Sequence, residues 1–139
     1  MSIQNVEFTA FMPNLKYLII AHTRVQDLSG LENCKSLLFV EMDWSEVKDY
    51  TPLLGCTALE DLNVSKNGAP IEPILQMSWL KHLWATSRGD ATKVKLTETF
   101  GETDTVLMLD AASTVGGGWR ELQNYYDMRD ALGMDYMKG

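Results

Sequence analysis

Apolar residues recur along this chain at intervals too uneven for one helix and too long for one strand. From Leu15 the run "LKYLIIAHTRVQDLSGLENCKS" sets leucines three apart, then alternates, then breaks into Asp-Leu-Ser-Gly before a lone cysteine. The same order returns at "LLFVEMDWSEVKDYTPLLGCTA" from Leu37 and at "LEDLNVSKNGAPIEPILQMSW" from Leu59, and it starts again at "LKHLWATS" from Leu80. The steps are 22, 22 and 21 residues. Self-similarity at a fixed period of this size marks a solenoid.

The columns stay in phase. Three residues after the anchors stand Leu18, Val40, Leu62 and Leu83; five after stand Ile20, Met42, Val64 and Ala85. Eight after the first three come Thr23, Ser45 and Asn67, while Val6, Leu28, Tyr50 and Ile71 precede the anchors by nine. Met12, Cys34, Cys56 and Met77 precede them by three. Alternation at +3 and +5 is strand spacing. A small polar residue at +8 suits a tight turn that must satisfy buried backbone groups. The apolar positions before each anchor bring the chain inward on the other side of the coil. One such unit cannot bury its own apolar face; stacked units share a continuous core.

These columns resemble the leucine-rich repeat, and the 22-residue step with "VQDLSGL" and "VKDYTPL" is similar to its internalin-like subclass. The resemblance covers roughly residues 3 to 88. It implies an α/β solenoid, right-handed, with a parallel sheet of about five strands on the concave side. Short 3₁₀, helical or extended segments would line the convex side. It also implies a bacterial protein that is secreted or displayed at the cell surface, built for protein–protein interaction, with the parent protein extracellular.

The two ends differ in kind. Residues 1–13 continue the columns backward and read as the rear half of a repeat whose strand is missing, so the chain is expected to be a piece of a longer protein. Residues 14–88 are the repeats, and 89–109 a degenerate last one. Counted from Thr103, this last repeat predicts a helix around Lys93 to Phe100 and a strand over 105–109. Val106 and Met108 would then point inward, and Thr105, Leu107 and Leu109 outward. In 110–139 the small-residue run "AASTVGGG" reads as a loop. "WRELQNYYDMRDAL" reads as an amphipathic helix with Leu122, Tyr125, Met128 and Leu132 on one face and Gly133 as its stop. That helix would cap the last repeat.

Composition narrows the function. A chain of 139 residues with 45% apolar content is one domain with a real core. No stretch is long and apolar enough to span a bilayer, and no secretion-signal pattern is present. A net charge of −7 argues against nucleic acid and against an acidic membrane surface. Cys34 and Cys56 share a column, where adjacent coils approach disulfide distance. Methionines fill that column in other repeats, so buried free thiols are the expectation. Zinc would need a ligand spacing that neither the two cysteines nor His22 and His82 supply. "TVGGGWR" lacks the lysine and hydroxyl of a phosphate loop, and "NVS" at Asn63 falls on a predicted strand. No cofactor or metal is implied.

The concave face carries the candidate chemistry. Strand positions at +2, +4 and +6 must face out of the coil: Tyr17, Ile19 and Ala21; Phe39, Glu41 and Asp43; Asp61, Asn63 and Ser65; His82, Trp84 and Thr86. Parallel strands lie about 4.8 Å apart, so like positions form rows. Aromatic anchors beside Glu41, Asp43 and Asp61 would bind a protein or peptide carrying some positive charge. The candidate ligand-binding set is Tyr17, Ile19, Phe39, Glu41, Asp43, Asp61, Asn63, His82 and Trp84. The apolar end at Trp84, Leu107 and Leu109 would be covered by Trp119, Tyr125 or Tyr126 of the chain's own tail. A recognition module is the leading expectation, and an architectural spacer or cap is the alternative. An enzyme is a third class, which would need a deep pocket with perturbed titrating groups. The outer edge of the first strand is also open to pairing with another copy.

Overall fold

The computed structural model describes residues 4–109. The loop and amphipathic helix expected in 110–139 lie outside the described residues. Five three-residue strands, β1 (Tyr17–Ile19), β2 (Phe39–Glu41), β3 (Asp61–Asn63), β4 (His82–Trp84) and β5 (Val106–Met108), form one parallel sheet in chain order. The first three return paths each carry a short 3₁₀ turn, at Leu31–Asn33, Thr51–Gly55 and Ile74–Gln76, and a further turn at Glu7–Phe11 precedes β1. The last crossover is a true helix, α1 (Asp90–Phe100), whose Leu96 and Phe100 close the convex side of the core.

The anchor columns become rows. Leu18, Val40, Leu62 and Leu83 are direct register partners across β1 to β4, and the last three are fully buried. Behind them Leu28, Tyr50 and Ile71 complete the interior from the convex side. A residue of one coil packs on its equivalents in the coils before and after it, so sequence distance of one period becomes one strand spacing.

The Asp-x-Ser/Thr step in "VQDLSGL" and "VKDYTPL" starts each convex turn by a local route. Asp27 Oδ1 accepts from the Ser29 amide at 2.8 Å and from its hydroxyl at 2.7 Å; Asp49 does the same with Thr51 at 2.9 and 2.6 Å. Those bonds favour the charged form and hold both carboxyls below their ordinary range. At Gly55 the coils meet so closely that a Cβ would stand 2.4 Å from the Glu32 carbonyl oxygen. No side chain fits there.

The last repeat departs from the expected register. Val106 pairs with His82, Leu107 with Leu83, and Met108 with Trp84. Leu107 therefore continues the inner row and packs on the core, while Val106 and Met108 face out. The expectation from Thr103 was one residue off, and in a strand that slip exchanges the two faces. The cause is α1: an eleven-residue helix replaces a 3₁₀ turn, so the chain re-enters the sheet out of step with the earlier period.

Both cysteines are free and buried. Cys56 Sγ donates to the Leu31 carbonyl at 3.1 Å and Cys34 Sγ to that of Thr9 at 3.4 Å. Burial pushes the Cys56 thiol from 9.0 up to about 12 and the Tyr50 phenol from 10.0 up to about 12. As pH rises past 9 and then 10, the unfolded chain loses these protons first and the folded chain keeps them. The folded state then binds more protons, so stability falls with rising pH. The urea midpoint is expected to drop steadily between pH 9 and 11, with a shallower drop in Cys56→Ala. Equal slopes in the two proteins would remove Cys56 as a cause.

Candidate functional site

The concave sheet carries two outward rows whose members are now fixed. One reads Tyr17, Phe39, Asp61, His82 and Val106; the other reads Ile19, Glu41, Asn63, Trp84 and Met108. All nine candidate residues lie on or just beyond this sheet face. Asp43 follows β2, and its backbone carbonyl accepts from the His22 amide at 3.0 Å, which extends the ladder past the strand.

Exposure divides the face. Ile19 is 47% exposed, and Tyr17, Glu41, Asp43 and His82 are half-buried. Phe39 and Trp84, expected as open anchors, are only 2% and 1% exposed, and Asp61 and Asn63 are buried with them. Exposure on the face is therefore mixed: Ile19 on β1 and Val106 on β5 are open, while Phe39, Asp61, Asn63 and Trp84 between them are buried.

Its polar centre is the pair Asp61–His82, with Nδ1 and Oδ1 2.6 Å apart. A carboxylate only accepts, so Nδ1 carries the shared hydrogen. The His82 ring also lies 6.0 Å from the Trp84 ring in a tilted arrangement. Asn63 Oδ1 accepts from the Ser65 amide at 3.0 Å, so its side chain shapes the loop beyond β3. Asp43 Oδ1 and Trp84 Nε1 are buried with no hydrogen-bond partner among the described residues. In the sheet register His82 stands between Asp61 and Val106, so among the described residues its row neighbours include no Ser, Thr or Cys. Both thiols are buried in the interior cluster. Among the described residues no group of three His, Cys, Asp or Glu side chains is placed to hold a metal ion, and no helix is long and apolar enough to cross a membrane.

Two crystal structures share the arrangement of short parallel strands and tight return turns. Internalin C2 from Listeria monocytogenes superposes with a TM-score of 0.62 at 22% identity, over 76% of this chain and 46% of its own. The internalin inlF from the same organism superposes at 0.61 and 19% identity, over 78% of this chain and 32% of its own. The fold is an internalin-like leucine-rich repeat. The chain spans less than half the length of either internalin. Neither a family model nor a curated protein matches the sequence.

One feature of this leucine-rich repeat lay outside the candidate set. Seven residues after the anchors stand His22, Trp44, Lys66 and Ser87, and all four hold a left-handed backbone with φ of 57 to 60°. The shared conformation turns their side chains into a column along the rim of the sheet. His22 stacks on Trp44 at 5.9 Å and 16°, and Lys66 Nζ lies 4.6 Å from the Trp44 ring centre. Trp44 is 54% exposed. The +7 column was readable from the same alignment that yields the sheet rows, but nothing in residue type alone says that three unlike side chains stack.

Proposed function

We propose that this chain is a non-catalytic recognition module that binds a protein or peptide segment at the open end of its concave face. The observation that carries the reading is the grouping there of Ile19 and half-buried Tyr17 with Glu41 and Asp43, bordered by the exposed Trp44 rim. Apolar and aromatic surface supplies contact area, and the carboxylates select a partner with positive charge. The internalin-like fold supports the same class of role, and with it a secreted or cell-surface setting for the parent protein.

The test is a peptide-display selection against the intact chain. Selected peptides should be enriched in Lys and Arg. They should lose about tenfold in affinity, ~1.4 kcal/mol, on Tyr17→Ala or Glu41→Lys. Peptides that bind both variants as tightly as the parent would place the site elsewhere.

A second, architectural reading has its own observation. Met12 is exposed, whereas Cys34, Cys56 and Met77 of the same column are completely buried by the coil before them. Exposed Phe8 and Phe11 adjoin it, so this end is a surface suited to stacking another coil, in a longer array or in an edge-strand dimer. Sedimentation should then show self-association that Phe11→Asp reverses; a monomer at all concentrations would count against stacking between copies.

A further inference from the structure

The chain contains one Asn-Gly step, Asn67–Gly68, while its other five asparagines precede valine, leucine, cysteine or tyrosine. Asparagine is chemically labile, and most so before glycine, where no side chain shields the next backbone nitrogen. Packing does not demand this glycine. Its φ is outside the left-handed region, and a Cβ placed on it would meet nothing within 4 Å. Asn67 itself is 4% exposed, and its amide is fully engaged. Nδ2 donates to the Ser45 and Val47 carbonyls of the preceding coil at 2.9 and 3.0 Å, and Oδ1 accepts from the Ala69 amide and the Tyr50 hydroxyl. Arg88 donates to that Tyr50 oxygen and to the Ala69 carbonyl, which clasps the turn from the following coil.

Solvent reaches this turn. Gly68 is exposed, and it lies in a groove of about 290 Å³ with Glu46, Lys48 and Pro70 along its walls. Hydrogen bonding, rather than exclusion of water, is therefore what restrains Asn67. We propose that Asn67 is a latent modification site, which deamidates through Gly68 when the turn opens and is preserved while Nδ2 stays bonded to the preceding coil. In the reaction the Gly68 amide gives its proton to hydroxide, and its nitrogen attacks Asn67 Cγ. The new C–N bond closes a succinimide ring, the Cγ–Nδ2 bond breaks, and Nδ2 leaves as ammonia with a proton from water. Water then opens the ring to aspartate or isoaspartate. The donors on Oδ1 favour the charge that grows there during attack, so they do not account for the restraint. The Nδ2 bonds do. Ring closure must swing the amide away from both carbonyls, and each buried bond lost costs about tenfold in population.

The change runs one way. A carboxylate only accepts, so the product sets its oxygens against the Ser45 and Val47 carbonyls that Nδ2 had served. Isoaspartate also lengthens the backbone by a methylene within the turn. A chain whose third-coil turn has stayed open long enough is thereby converted to a less stable form. The inference uses neither the concave face nor the recognition reading.

Peptide mapping by mass spectrometry, on the full chain held at mildly alkaline pH, measures the reaction site by site. Asn67 should deamidate ~100-fold more slowly in the folded chain than in urea, and rates within about threefold of each other would overturn the inference. In urea, Gly68→Ala should slow the step about tenfold, with the circular dichroism of its folded form unchanged. An unaltered rate there would rule out ring closure through Gly68. Arg88→Met, which removes the clasp, should speed Asn67 about tenfold while Asn14 and Asn33 keep their rates. A folded Arg88→Met protein with the parental rate at Asn67 sinks the idea. If that variant fails to fold, the wild-type chain in urea below its unfolding transition decides. A rate that climbs with the opened fraction supports the site, and a flat rate overturns it. The deamidated chain, once isolated, should show a lower urea midpoint than its parent. An equal midpoint would contradict the one-way conversion.

Discussion

Leu62→Ala is expected to destabilise the chain by about 3–5 kcal/mol, a large part of the total stability of a domain this size. Leu62 is fully buried at the centre of the inner row, between Val40 and Leu83. Packing on both sides limits how far the neighbours can relax into the cavity, which puts the cost at the upper end of the usual range. A solenoid adds a second consequence. Its stability is a sum over coils and their interfaces, so one cavity weakens the contacts of β3 with both β2 and β4. The comparison that isolates this effect is Leu18→Ala. Leu18 belongs to the same row but to the outermost strand, and it is only half-buried. It should cost less than half as much. Urea unfolding followed by far-UV circular dichroism measures both, and equal costs would contradict the stacked-row description of the core.

Asn67→Ala is expected to cost about 2–4 kcal/mol, out of proportion to the few atoms removed. Asn67 is buried, and its Nδ2 donates to the carbonyls of Ser45 at 2.9 Å and Val47 at 3.0 Å. Its Oδ1 accepts from the Ala69 amide at 3.2 Å and from the Tyr50 hydroxyl. Arg88 donates to the same Tyr50 oxygen and to the Ala69 carbonyl, so the side chain ties two coils to a cation at the start of the last crossover. Alanine leaves two carbonyls and an amide without these partners. The equivalent positions show why the cost is special to this coil. Thr23 and Ser45 turn their hydroxyls back to their own turn, onto Ile20 and Met42 carbonyls at 2.6 and 2.7 Å. Ser45→Ala should therefore cost only about 1 kcal/mol. If the two substitutions prove equal, the cross-coil bonds of Asn67 contribute little.

The rows of the concave face were legible in the sequence for β1 to β4, because a fixed period and in-register stacking convert column position directly into contact. Tyr17, Phe39, Asp61 and His82 form the row expected from their spacing. Their accessibility was not legible. The column that assigns Phe39 to the outward face also assigns Tyr17 there, yet Phe39 is buried while Tyr17 is not. A period is blind to anything that packs on the repeat from outside it.

The amino-acid sequence by itself therefore determined the architecture: the strand positions of β1 to β4, the inner row from Leu18 to Leu83, the convex turns and the shared column of Cys34 and Cys56. Each follows from local alternation or from a constraint repeated every coil, and repetition averages out the ambiguity of any single short segment. Tertiary structure alone decided the register of β5, the burial of Phe39, Trp84 and Met108, and the stacking of His22, Trp44 and Lys66. These depend on a helix that breaks the period, on packing that differs from one strand to the next, and on side chains of unlike chemistry meeting across strands. None of those interactions is repeated along the chain, so no periodic signal carries them.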